Sequence, residues 1–309
     1  MDDERFAKDH AAGEMTLTAS RIPPLVLPRS ELAEHDPSPL AIALHCRGDV
    51  PIVVEDPDPL AIGLLELGHI DERLGEALLA KRGMQVVDVQ PRYEREDLGF
   101  RLIAYPDAIV DTSDGILGVE FKRLSGGKRQ YEAEWLAGPP LRHVAQVEAQ
   151  MIAAGADERS LAAVLLVPLI IERWSVTTEP VLIEPDADRQ GAIVEACRDW
   201  WRIVSAGELP EADASESSYR ALLATTKLQE GKRVLVPGDD WVAAAETWRW
   251  AKEKEKEHHQ QAEAAKCAFA SIMADATEAV LDDGSIVKRS IVKPSTYTVN
   301  RKASWRWTV

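Results

Sequence analysis

Pro106-Asp107-Ala108-Ile109-Val110-Asp111-Thr112-Ser113-Asp114-Gly115-Ile116-Leu117-Gly118-Val119-Glu120-Phe121-Lys122 is the stretch on which the fold of this chain turns. Leu102 to Val110 and Ile116 to Leu124 are short β-like runs, and turn formers, Thr112-Ser113-Asp114-Gly115, stand between them, so a hairpin through Asp114-Gly115 is expected. Side chains alternate across a strand, which sets Glu120 and Lys122 on one face. Pairing of the two strands then brings Asp107 near both.

Working downstream, Pro139-Pro140 opens a helix whose apolar positions Leu141, Val144, Val147 and Met151 share a face, ending near Gly155. Its other face shows His143, Gln146 and Gln150. The apolar run Leu161 to Ile171 reads as a buried strand, with a second strand past Pro168 ending near Val176. Upstream, Leu60, Leu64, Leu67, Leu74, Ala77 and Leu78 recur at helical spacing as far as Gly83, in one helix or two that carry Glu66, Glu72 and Glu76. Met84 to Val89 is a further β-like run. Helix, strands, helix, strand is the order of an α/β core, with a mixed central sheet flanked by helices.

The first 60 residues, broken by Pro23-Pro24, Pro28, Pro37 and Pro39, read as an arm with short helices. The core then spans 61–210 and includes an amphipathic helix from Asp186 to Ala206. Gly207 to Leu235 is loop-rich, and 211–238 serves as a linker. Residues 239–309 form a separate module: a long helix from Asp239 to Ala274 with a Lys/Glu-dense middle, a hairpin signal at Val280 to Val287, and an aromatic and basic alternation from Tyr297 to Val309. Trp305 and Trp307 are expected to pack against the long helix, and that helix is also a candidate for self-association or for binding a recombination protein.

A chain of 309 residues, 45% hydrophobic and 28% charged, without an apolar run of about 20 residues, reads as soluble rather than membrane-spanning. The charged N-terminus lacks the apolar segment of a secretory signal, so cytoplasmic residence is expected. Cys46, Cys197 and Cys267 stand far apart and in no metal-binding spacing, which predicts three reduced thiols. The formal net charge of −16 excludes a protein that coats nucleic acid indiscriminately. It leaves room for a basic cleft and for carboxylates that bind metal.

Hydrolysing a phosphodiester requires an activated water and stabilisation of the leaving oxygen, which Mg²⁺ can supply when carboxylates hold it. Asp107, Glu120 and Lys122 match that need: two carboxylates as metal ligands, the carbonyl of Phe121 to complete the shell, and a lysine to orient the water or, as the neutral amine, to deprotonate it. A lone Glu-x-Lys on a strand is commonly a surface pair, so the weight lies on its surroundings.

Those surroundings are Thr18-Ala19-Ser20-Arg21-Ile22, Gly68-His69-Ile70-Asp71-Glu72, Tyr105-Pro106-Asp107-Ala108-Ile109-Val110, Gly118-Val119-Glu120-Phe121-Lys122-Arg123 and His143-Val144-Ala145-Gln146-Val147-Glu148-Ala149-Gln150-Met151. On these segments, across residues 16–210, the chain resembles the PD-(D/E)xK nuclease superfamily, and within it the phage lambda exonuclease-like or YqaJ-type viral recombinase group. The resemblance implies a restriction-endonuclease-like fold and dependence on Mg²⁺ or Mn²⁺. It also implies exonuclease action on double-stranded DNA ends that leaves single strands for a recombination partner such as a single-strand annealing protein, in a bacterial host or from a prophage. A homo-oligomer is compatible with it. The same resemblance makes Asp107 and Glu120 metal ligands, Lys122 the catalytic lysine, Glu72 the helix carboxylate and Gln146 the motif glutamine. Ser20 and Arg21 match a segment near the DNA end. His143 departs from the commoner Tyr, and Ala108 from the commoner Gly.

Arg123, Lys128 and Arg129 follow the catalytic strand and are candidates for phosphate contacts in a DNA channel. His69 and His143 read as packing or surface groups rather than catalytic bases. Two other functions share these residues: an endonuclease or nickase on the same scaffold, and a nuclease-inactive DNA-binding or assembly protein.

Overall fold

Strand pairing between residues 86 and 183 builds the sheet that carries the site. The computed structural model of the chain describes residues 9, 13–49, 73–113, 115–124, 127–155, 160–172, 175–226, 239–274, 276–280, 282 and 286–288. It falls into two units, Met1–Leu228 and Gln229–Val309. The first holds strands β1 (Leu17–Thr18), β2 (Val86–Val89), β3 (Tyr93–Arg95), β4 (Leu102–Ala104), β5 (Ala108–Thr112), β6 (Gly115–Leu124), β7 (Ala163–Glu172), β8 (Ser175–Thr178) and β9 (Val181–Ile183). Its helices include α1 (Pro23–Val26), α2 (Pro39–Cys46), α3 (Gly127–Glu134), α4 (Leu141–Ala154), α5 (Ala187–Ser205) and α6 (Glu216–Thr225). Residues 73–81 are helical as well. The second unit holds helix α7 (Asp239–Met273) and the antiparallel pair β10 (Glu278–Val280) and β11 (Ile286–Lys288).

The expected hairpin is the antiparallel pair β5–β6, with Ala108 opposite Val119 and Thr112 opposite Gly115. The sheet runs β2-β5-β6-β7-β8, with β9 also paired to β7. β6 and β7 are parallel, and parallel neighbours need a crossover. Helices α3 and α4 provide it, which makes the architecture mixed α/β. Pro168 in β7 lies between Leu166, paired with Val181 of β9, and Leu169, paired with Thr178 of β8. A residue without an N–H is tolerated where two partner strands meet end to end.

The run Leu102 to Val110 divides between two sheets. β4 joins a three-stranded sheet between β1 and β3, whereas β5 belongs to the main sheet. Pro106 stands at the transfer, where its missing donor would interrupt either ladder.

Apolar side chains cover both faces of the main sheet. Val119 and Phe121 of β6 pack with Leu79, Val110, Leu165, Val167 and Leu169. On the other face, Leu124, Ile109, Val164 and Leu166 join Val144, Val147 and Met151 of α4 and Ile193, Cys197 and Trp200 of α5. Leu17, Ile22, Ile42 and Cys46 belong to this same core. The segment after Gly207, expected as loop, contains α6. Ser215 accepts the Ser218 N–H as its cap, and Ala221 packs with Leu40 and Leu44 of α2.

The proposed upstream carboxylate Glu72 and the alternation at 297–309 lie outside the described residues. Cys46 and Cys197 are buried free thiols, and Cys267 is an exposed one. No helix among the described residues is long and apolar enough to cross a membrane.

Candidate active site

β6 carries Glu120 and Lys122 on the face covered by α4, and α4 answers with Gln146 and Gln150, one turn apart on one helical face. The Lys122 Nζ donates to Glu120 Oε1 at 2.7 Å and to Gln146 Oε1 at 2.8 Å. The Gln146 Nε2 donates to the same Glu120 oxygen at 2.7 Å. Gln150 Nε2 donates to Glu120 Oε2 at 2.6 Å. Strand and helix are thereby joined through one carboxylate, itself only 4% exposed.

Asp107 enters from the end of β5. Its Oδ2 accepts the Phe121 N–H at 2.7 Å, and its carbonyl accepts the Gln90 N–H at 3.1 Å. The β5–β6 ladder ends at Ala108 and Val119, so the Asp107 side chain takes over where the strand stops. In a strand the N–H and C=O of one residue face the same edge, which directs the Phe121 carbonyl toward the Asp107 side.

These oxygens fit a hard divalent cation, because carboxylates and a carbonyl are the donors such an ion takes and no sulfur competes. Each carboxylate oxygen has about two lone-pair sites. Lys122 and Gln146 fill those of Glu120 Oε1, and Gln150 leaves room on Oε2. Among the described residues no group of three or more His, Cys, Asp or Glu is placed to hold a metal. Two carboxylates are therefore what the described part of the site contributes.

Beside this cluster opens a cleft of about 430 Å³, whose walls include Ser20, Pro23, Lys122, Arg123, Arg142, His143 and Gln146. Ser20, from the segment matched to the DNA end, and Arg123, the candidate phosphate contact, both line it. Arg21 does not: it is 7% exposed and its Nη2 lies 3.0 Å from His45 Nε2. The 3-10 turn over Ala19–Arg21 buries Ala19 and Arg21, which corrects the expectation of a DNA contact from Arg21. Lys128 and Arg129 are exposed on α3 rather than on a loop, and Lys128 lies 3.8 Å from Glu132.

Among known proteins, the likenesses are to solved structures. No family model and no curated protein matches the chain. Structures that resemble it include SSO0001, with 16% identity, a TM-score of 0.39 and coverage of 65% of this chain and 81% of that one. An alkaline exonuclease (LHK-Exo) from Laribacter hongkongensis has 13% identity and a TM-score of 0.44, over 66% of this chain and 95% of its own. LHK-Exo in complex with dAMP has 16% identity and a TM-score of 0.46, over 66% and 93%. These likenesses are slight.

His143 lines the cleft and stacks on Trp135, with ring centroids 5.6 Å apart. Burial, with Lys122 and Arg142 nearby, pushes its imidazole down to about 2, so it is neutral at any working pH. It offers a flat, uncharged wall. Gln150 is the residue that the sequence reading passes over as a site residue. Its signal is the four-residue spacing from Gln146, which any helix face can show.

Proposed function

We propose that the chain is a divalent-metal-dependent deoxyribonuclease that digests linear double-stranded DNA from its ends, leaving single strands for a recombination partner. The observation that carries this reading is the closed triangle of hydrogen bonds among Glu120, Lys122 and Gln146 at the side of an open cleft, with Asp107 anchored beside it. A strand lysine tethered at two of its three donors is a positioned group, not a surface ammonium.

Asp107, Glu120 and the Phe121 carbonyl would hold Mg²⁺ or Mn²⁺, which when bound supplies Lewis acidity and a more acidic water. The chain's own residues do the rest. Hydrolysis forms a bond from a water oxygen to phosphorus and breaks the bond from phosphorus to the sugar oxygen. The remaining Lys122 donor is available to hold the attacking water or a phosphoryl oxygen, and Glu120 is held in place by Gln146 and Gln150. Ser20 and Arg123, with Lys128 and Arg129 on α3, are proposed to meet the phosphate backbone. Glu72 is proposed as a further carboxylate.

The test is incubation of purified protein with end-labelled linear duplex and with relaxed circular DNA, in Mg²⁺, Mn²⁺ or EDTA, beside Glu120→Ala and Lys122→Ala. Metal-dependent loss of linear but not circular DNA, abolished by both substitutions, is the expected result. Cutting of circles would replace end-dependence with endonuclease action. DNA left intact in every metal would overturn the catalytic reading.

A further inference from the structure

Helix α7 carries a seam of its own, and the inference drawn from it is independent of the nuclease chemistry. Trp241, Trp248, Ala262 and Phe269 recur at one heptad position, with Ala244, Ala251, Ala265 and Ile272 three residues further on. Glu255 and His258 occupy the same two positions in the middle heptad. None of these ten side chains is buried: Trp241 is 62% exposed and Ile272 78%, and Trp248 and Phe269 are half-buried. A stripe at this spacing is the signature of a helix that lies along another helix. Large aromatic surface left in water marks a place for a partner.

The seam is complementary to itself in one direction. A second α7 running antiparallel, with the dyad between Lys256 and Glu257, sets Trp241 opposite Ile272, Ala244 opposite Phe269, Trp248 opposite Ala265 and Ala251 opposite Ala262. Glu255 then meets His258, an acceptor facing a donor, twice about the dyad. A parallel pair in register instead stacks Trp241 on Trp241 and Trp248 on Trp248, leaves alanine on alanine between them, and faces Glu255 with Glu255. Close packing favours large against small, as at Ala244/Phe269 and Trp248/Ala265, which the parallel pair lacks, and like charges in contact disfavour the parallel arrangement. Within each helix Glu255 already accepts from Lys252 Nζ at 2.6 Å, which holds the carboxylate ionised beside the seam.

We propose that α7 is a self-association surface whose partner is the α7 of a second copy, packed antiparallel with Glu255 and His258 paired at its centre.

The experiment uses the full chain in a Cys267→Ser background. Sedimentation velocity is expected to show a dimer. Glu255→Lys and His258→Glu each weaken it at least about tenfold in dissociation constant, because each creates a repulsive pair at the dyad, and the two together restore it. Chains carrying Ala251→Cys, mixed with chains carrying Ala262→Cys, are expected to cross-link with a short bismaleimide. Ala251→Cys alone is not, since its two copies sit eleven residues apart along the axis, about 16 Å. A monomer at every concentration, an oligomer unmoved by the charge reversals, or self-cross-linking of Ala251→Cys would overturn the proposal.

Discussion

Glu120 accepts three side-chain hydrogen bonds, from Lys122 and Gln146 on one oxygen and from Gln150 on the other. Gln150 itself is 1% exposed and its Oε1 is buried without a hydrogen-bond partner among the described residues, so Gln150→Leu removes the donor while also removing that acceptor. A hydrogen bond to a charged group contributes about 1.5–3 kcal/mol. The variant is expected to cleave linear duplex about 10- to 100-fold more slowly with little change in melting temperature. Initial rates beside a thermal melt check this, and an unchanged rate would remove Gln150 from the machinery. On the same helix Glu148 is fully buried; its Oε2 accepts from Gln190 Nε2 at 2.9 Å, and Arg189 Nε lies 3.6 Å from its Oε1. Burial pushes its carboxyl above the usual range. The folded chain therefore keeps that proton to a higher pH than the unfolded chain, and the stability this contributes is complete below the unfolded value and lost as pH rises through the folded one. Glu148→Gln cannot ionise, so its melting temperature relative to the native chain should climb between about pH 4 and pH 8. A difference that stays flat or falls across that range would refute the sign.

At the scale of elements, the site depends on how closely the helix over residues 73–81 approaches β6. A Cβ built on Gly75 would stand 2.4 Å from Phe121 Cε1. Phe121 is the residue whose N–H holds Asp107, so this helix packs on the side chain of the residue that joins the two carboxylates. Gly75→Ala is expected to lower stability by about 1–3 kcal/mol through overpacking, despite the better helix propensity of alanine. Pairing it with Phe121→Leu should recover part of the loss, which denaturant unfolding of the single and double variants would show. Additive losses would mean that the two side chains do not meet.

For the whole molecule, the division into Met1–Leu228 and Gln229–Val309 separates the proposed chemistry from the proposed self-association. Unit 1 contains its own core and all the described site residues. A chain ending at Leu228 is expected to unfold cooperatively and to keep metal-dependent cutting of linear DNA, while sedimenting as a monomer. Loss of cutting would show that residues 229–309 complete the site. Under the proposed function, the acidic balance, −16 overall, would leave DNA to be met at local cations such as Arg123 and Arg142 of the cleft rather than by the general field of the protein.

What the sequence determined by itself was whatever depends on near neighbours in the chain. The shared face of Glu120 and Lys122 and the spacing of Gln146 and Gln150 follow from periods of two and of 3.6 residues, which are properties of the backbone alone. The tertiary structure decided what those periods cannot carry. It turned Arg21 inward toward His45, because the 3-10 turn at Ala19–Arg21 is packed on the core. It split Leu102 to Val110 between two sheets, formed α6 where turn-forming residues suggested loop, and selected Gln150 by laying α4 across β6. Burial and partner choice are set by which distant element arrives on a face, and that arrival leaves no periodic trace in either segment.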